Sequence, residues 1–271
     1  MPKTAIIIPC FNEAQRFDQR EFSVFLLRHS VVDFIFVNDG SDDSTGDILE
    51  RFRNKYPQRA IVVQLGENSG KAEAVRRGFQ RAFQGRYELI GYWDADLATP
   101  LEEIDRFSEI MENPGIQLII GARVRLLGRE IVRDPLRHLF GRVFATMASL
   151  ILGIQVYDTQ CGAKLFRNTE TLRLAFSKPF WTRWIFDVEV MARLMTLYRC
   201  RGEQCLAAST VEYPLQKWTD VRGSKLKATD FLKVPFELMK IFLFIRHTAQ
   251  GEKCRLFFEN AELDHKRPPT K

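Results

Sequence analysis

Between Thr4 and Ala122 short apolar runs alternate with amphipathic stretches, and that alternation leaves few folds open. The runs Thr4–Cys10, Asp33–Asn38, Ala60–Leu65, Leu89–Trp93 and Gln117–Ala122 are rich in Ile, Val, Phe and Tyr, as buried strands are. Helical patterning separates them at Glu21–Arg28, Thr45–Tyr56, Lys71–Phe83 and Leu101–Met111, the last with Pro100 at a first helical position and Thr99 as its cap. Strand–helix alternation at this spacing predicts βαβ units and a mostly parallel α/β sheet flanked by helices. Such sheets bind ligands beyond the carboxyl ends of their strands. Four polar clusters fall there: Phe11-Asn12-Glu13, Asn38-Asp39-Gly40-Ser41, Asn68-Ser69-Gly70-Lys71 and Asp94-Ala95-Asp96.

Past residue 123 the pattern changes. Arg123, Arg125, Arg129, Arg133 and Arg137 form a basic stretch, followed by apolar residues at helical spacing from 136 to 154. That stripe suits a core face or a membrane surface equally. The cluster Asp158-Thr159-Gln160-Cys161-Gly162 precedes a helical segment, Phe186–Tyr198. Phe231–Ile245 is apolar nearly all round, with only Lys233, Glu237 and Lys240 as a polar stripe. Flanked by Lys225, Lys227, Arg246 and His247, it reads as an interfacial helix with basic edges. The end, HKRPPTK, has the composition of a disordered tail.

The net charge of +6 suits a partner that carries phosphate. Five scattered cysteines fit reduced thiols, and neither they nor the four histidines have zinc spacing. A strand begins almost at the N-terminus, so no signal peptide is expected. No apolar run reaches the roughly 20 residues of a membrane-spanning helix.

Asp94 and Asp96 lie two positions apart at a strand end, where extended backbone would turn both to one side. Paired carboxylates repel unless a cation neutralises them, and oxygen ligands favour Mg²⁺ or Mn²⁺ with substrate phosphates completing the shell. Alone, such a pair is more often a cap or a surface feature; beside three other rim clusters the metal reading prevails. Asp39 can accept from a base N–H or a ribose hydroxyl, with Asp42, Asp43 and Ser44 forming the turn and helix cap beside it. Lys71 opens a helix whose free N–H groups suit a diphosphate. Asp158 and Asp187 are candidate acids, with pairing to a cation or helix capping as equal alternatives.

Taken together, IIIPCFNE, FVNDGSDDST, NSGKAEAVRRG, DADLATP and the Gly-Ala-Arg at 121–123 resemble the inverting family-2 glycosyltransferases of GT-A fold. DTQCGAKLF, WIFDVE and WTDVRGSKLK resemble the branch that loads sugars onto polyprenyl phosphates. Within it the wording is nearest the dolichyl-phosphate glucosyltransferases, with the mannosyltransferases next. The resemblance implies that Pro9, Asn12, Glu13, Asp39 and Gly40 hold the nucleoside and that Lys71 sits near the nucleotide. It puts Asp94-Ala95-Asp96 at the sugar, diphosphate and metal, with Asp96 the main ligand and Asp94 its companion. Arg123, Arg133 and Lys225 would contact donor or acceptor phosphates. Asp158 with Gln160, Cys161 and Gly162 would line the reaction centre, and Asp187 would shape the sugar or acceptor pocket. The mannosyltransferases often carry Gln where this chain has Ala98, a departure that leans away from GDP-mannose.

The expectation is therefore a GT-A catalytic domain over 1–228, an amphipathic interfacial segment over 229–258 and a tail over 259–271. Its activity would move a hexose, glucose favoured, from UDP- or GDP-sugar to a polyprenyl phosphate, on the cytoplasmic face of a membrane, with Asp158, Asp187 and Arg123 at the reaction centre. The alternative acceptor is a saccharide hydroxyl. A nicotinamide enzyme would need glycines after the first strand, which PCFNEA lacks. A nucleic-acid binder would need aromatics interleaved with basic residues, whereas here the aromatics lie in apolar runs.

Overall fold

The apolar runs of the first half become the parallel core of a seven-stranded sheet. The structure, a computed structural model, describes residues 1–132, 135–203, 205–220 and 233–248. Strands β1 (Thr4–Cys10), β2 (Val32–Asp39), β3 (Ala60–Leu65) and β4 (Leu89–Tyr92) alternate with helices α1 (Gln19–Arg28), α2 (Thr45–Lys55) and α3 (Lys71–Ala82). Then follow α4 (Glu103–Ile110), β5 (Leu118–Ala122), β6 (Glu130–Val132), α5 (Pro135–Leu152), β7 (Lys164–Arg167), α6 (Glu170–Ala175) and α7 (Phe186–Arg201). The described residues close with β8 (Thr210–Pro214), β9 (Lys217–Thr219) and α8 (Val234–Thr248).

The sheet order is β3-β2-β1-β4-β7-β5-β8, with β6 and β9 as a separate ribbon. β1 pairs parallel with β2, Thr4 opposite Val32 through Cys10 opposite Asn38, and β8 runs parallel to β5. Only β7 is antiparallel, to β4 on one side and β5 on the other. Strand periodicity splits each central strand between two cores. Ala5, Ile7, Ile35 and Val37 pack with α3 and α5–α8, whereas Ile6, Ile8, Phe34 and Phe36 pack with α1, α2 and α4. Both faces being covered, these strands read as continuous apolar runs rather than alternating ones. Phe17, Phe22, Phe34, Phe36 and Phe52 form an aromatic cluster with ring centroids 4.9 to 6.3 Å apart; each such buried ring contributes about 1.5–3 kcal/mol.

Several expectations need correction. The segment after Pro100 is first wound by i→i+3 bonds, Glu103 N–H to Pro100 O and Ile104 N–H to Leu101 O, so α4 starts at Glu103 without a Thr99 cap. At α2 the Ser44 side chain makes no capping bond, and the Asp43 carboxylate accepts from Thr45 N–H instead. Cys200, near the end of α7, is disulfide-bonded, against the expectation of reduced thiols; Cys10, Cys161 and Cys205 remain thiols. α8 carries apolar residues on both faces, as its sequence suggests: Glu237, Leu238, Ile241, Phe244 and Thr248 are buried, while Phe236, Met239 and Leu243 are exposed. α5 packs on α8 with the same division, burying Ala145, Ala148 and Leu152 and exposing Leu139, Val143, Met147 and Leu150. Among the described residues no helix is long and apolar enough to cross a membrane.

Candidate functional site

The rim clusters meet where the parallel strands end. After β1, Asn12 takes a left-handed φ of +50° and binds the next cluster from both sides: its N–H donates to Ser41 Oγ and its Oδ1 accepts from Asp42 N–H. Glu13 N–H donates to Thr45 Oγ1, while its carboxylate is held by Arg16 at 2.7 Å. Asp39, at the end of β2, is buried and followed by Gly40 at φ +62°. Its two oxygens accept from Ser69 N–H and Gly70 N–H, each at 2.8 Å. Burial pushes the Asp39 carboxyl above its ordinary value, against these two bonds and the charge of Arg183.

Lys71 is the first residue of α3, and its Nζ lies 2.5 Å from Asp94 Oδ1. Burial alone would lower its pKa, but the charges of Asp94, Asp187 and Asp96 prevail and hold the ammonium protonated. Asp94 and Asp96 do not sit on extended backbone as expected. Leu97 N–H donates to Asp94 O, Leu97 has φ +52°, and the segment is a tight turn beyond β4. The two carboxylates nevertheless sense each other: burial, then the Asp94 charge, raises the pKa of Asp96. Mutually repelling oxygen ligands of this kind fit a hard divalent cation. Among the described residues no group of three or more His, Cys, Asp or Glu could hold a metal, so phosphate oxygens would have to complete a shell begun by Asp94 and Asp96.

The second half of the chain reaches the same place through β7. A Cβ at Gly162 would overlap the Asp94 carboxylate, so the Asp158–Gly162 loop lies directly against the acidic turn. Asp158 takes the pairing role among its alternatives: Arg123 Nε and Nη2 grip it at 2.6 and 2.8 Å. Glu212, on β8, fixes the loop by accepting from Tyr157 and Asp158 N–H groups. Burial opposes the Arg123 charge, but Asp158 outweighs it and holds the pKa above its usual value. Burial, then the Asp158 charge, pushes the Cys161 thiol up to about 11, so it remains protonated at neutral pH. Gln160 is half-buried beside it.

Asp187, at the start of α7, also pairs with a cation. Lys164 Nζ donates to its Oδ1 at 2.5 Å and to Cys161 O at 2.7 Å, and the Tyr92 hydroxyl donates to the same carboxylate oxygen. Burial and the Asp187 charge raise Tyr92 well above its ordinary value. Lys164, Tyr92, Glu212 and Arg183 were missed in the sequence. A lysine inside the apolar CGAKLF run was the one available signal, because such a residue must find a buried partner. Pro9 lies at the end of β1, half-buried, and Ala95 is buried within the acidic turn. Arg133 and Lys225 lie outside the described residues.

The model of the family described as "Glycosyl transferase family 2" matches residues 5–170. A dolichyl-phosphate beta-glucosyltransferase of Trichomonas vaginalis is 30% identical over 256 residues, covering 90% of this chain and 72% of that protein. The Mus musculus protein of the same name is 31% identical over 263 residues, covering 89% and 74%. Among solved structures, Mycobacterium tuberculosis glucosyl-3-phosphoglycerate synthase in complex with Mn²⁺ and UDP-glucose superposes with a TM-score of 0.61 at 17% identity, over 90% of this chain and 79% of that one. The likeness is one of fold, the mostly parallel GT-A sheet and its flanking helices. The chain belongs to glycosyl transferase family 2.

Proposed function

We propose that this glycosyltransferase transfers glucose from UDP-glucose to a dolichyl or other polyprenyl phosphate, with inversion. The observation that carries the reading is the state of the two candidate acids. Asp158 is gripped by Arg123 and Asp187 by Lys164, so each carboxylate is engaged by a cation rather than open to a reacting hydroxyl. A saccharide hydroxyl needs a base; a phosphate monoester, with a second pKa of about 6, is already largely a dianion at neutral pH. Curated relatives named dolichyl-phosphate beta-glucosyltransferases support the donor sugar and the acceptor, and the UDP-glucose complex of the structural neighbour supports the nucleotide.

In this reading Asp39 and the turn at Asn12 hold the nucleoside, and Lys71 sets the diphosphate. An acceptor phosphate oxygen attacks the anomeric carbon as the bond from that carbon to the diphosphate oxygen breaks, and the diphosphate leaves with the electron pair. Arg123, fixed by Asp158, lies on the acceptor side and neutralises the incoming phosphate. Lys164 and Tyr92 keep Asp187 in place behind the sugar. Mg²⁺ or Mn²⁺, held by Asp96 and Asp94, would supply charge neutralisation of the leaving diphosphate.

The exposed faces of α5 and α8 support work at a membrane surface, which in this reading is the cytoplasmic one. Leu150 is 77% and Phe236 66% exposed, and exposed Lys233, Lys240, Arg246 and His247 accompany the apolar residues of α8. Apolar residues with basic neighbours match an anionic lipid interface. Residues 229–258 then act as the interfacial segment of a catalytic domain spanning 1–228.

The test is transfer of labelled glucose from UDP-glucose to a short polyprenyl phosphate, with GDP-mannose and saccharide acceptors in parallel. Transfer to the lipid phosphate that EDTA abolishes is the expected result. Transfer to saccharide hydroxyls alone would overturn the acceptor assignment.

A further inference from the structure

The segment between α6 and α7 enters the site as described only through the charge of Arg183 on Asp39, yet buried ion pairing and hydrogen bonds hold it in place. Glu189 and Arg193, both no more than 1% exposed, pair at 2.6 Å beneath it. Arg193 donates to the carbonyls of Ala175, Lys178 and Pro179, and Glu189 accepts from the N–H groups of Trp181 and Thr182 and from Thr182 Oγ1. Two contacts then tie the segment to α8. The Trp181 and Phe244 rings meet edge to face at 4.8 Å, and Arg183 N–H donates to Glu237 Oε1 at 3.3 Å. Glu237 is itself buried on the inner face of α8.

What this scaffold presents is the Arg183 side chain. Its stem and Nε lie across Gly70: a Cβ there would come within 2.9 Å of Nε and 3.3 Å of Cγ. Gly70 also has φ +92°, a backbone conformation that favours glycine at this position. Arg183 Nη2 donates to Asn68 Oδ1 at 3.1 Å. The guanidinium therefore stands over the loop whose N–H groups bind Asp39, beside the start of α3. Of five N–H donors, the described residues engage one, and that partner is a neutral amide. Among the described residues no carboxylate accepts a hydrogen bond from this head, although its charge acts on Asp39, and its remaining donors suit an acceptor supplied by a ligand.

We propose that Arg183 contacts the nucleoside diphosphate donor at the nucleoside end of the cleft, and that Glu237 on α8 is the positioning residue that holds it there. This rests on the donor-site reading above. The planar guanidinium offers hydrogen bonds to base or ribose oxygens and a face to stack on the base. Glu237 acts only through the Arg183 backbone.

The experiment is titration calorimetry of the whole chain with UDP and Mn²⁺, beside steady-state kinetics with UDP-glucose and a short polyprenyl phosphate. Arg183→Ala should weaken UDP binding and raise the donor KM by about 10- to 50-fold, as loss of a charge-assisted contact does, with kcat within about threefold. Arg183→Lys should recover little, since an ammonium lacks the fork. Glu237→Ala should raise the donor KM by about three- to tenfold, and Glu237→Gln, which keeps an acceptor oxygen for the Arg183 N–H, should restore it. The double variant Arg183→Ala/Glu237→Ala should bind UDP no worse than Arg183→Ala, because the two act in series. Wild-type protein that binds no UDP overturns the donor reading and this inference together. Wild-type binding that Arg183→Ala leaves intact overturns the inference alone, and additive losses in the double variant overturn the role given to Glu237.

Discussion

Gly162 illustrates how much of the site depends on single positions. Its missing side chain is the space that the Asp94 carboxylate fills. Gly162→Ala should reduce transfer by about 100-fold or more, the scale of misplacing a positioning group, while the melting temperature stays close to wild type; activity assays beside thermal melts check this. Asp187→Asn should show itself in stability as well. It strands the buried Lys164 ammonium, so about 3–5 kcal/mol of stability should be lost, read from the urea midpoint. The individual rim residues were legible because polar clusters directly after apolar strands have few other reasons to be there. The partners of those residues were not. Lys164 reaches Asp187 and Arg183 reaches Asn68 across 23 and 115 positions of chain, and no local pattern announces such pairs.

Elements of the first half could be read to within two residues, because buried strands and amphipathic helices repeat their own signals. Misreadings came where neighbours override local preference, as at the start of α4, where the turn after Pro100 is wound too tightly to be α-helical. At α8 the sequence leaves open which face is buried. A helix with one face on a core and another on the outside can be apolar on both, and periodicity cannot separate two apolar faces. The pair α5 and α8 carries the prediction at this scale. Leu150→Lys with Phe236→Lys should cut flotation with anionic liposomes by about tenfold or more, since each removes an inserted apolar side chain. Transfer to a short, water-soluble prenyl phosphate should be unchanged. Equal loss in both assays would return these residues to a packing role.

For the molecule as a whole, the parallel half of the sheet followed from the alternation of elements, whereas the insertion of antiparallel β7 between β4 and β5 had no sequence signature. Strand order is decided by long-range pairing, and β7 is four residues long. Because the site joins distant parts of the chain, donor binding should stabilise the whole fold. UDP at a hundred times its dissociation constant, with Mn²⁺, contributes about 2.7 kcal/mol, which should raise the melting temperature by about 5–10 °C in differential scanning fluorimetry. EDTA should erase the shift if Asp94 and Asp96 bind the nucleotide through a cation. The close fit of Gly162 on Asp94 has a further consequence for how such an enzyme can change. The loop that would select the acceptor rests on the side chain that would select the donor, with no slack between them. Substitutions that retune one choice will register in the other, so the two specificities must be altered together, by paired changes rather than one position at a time.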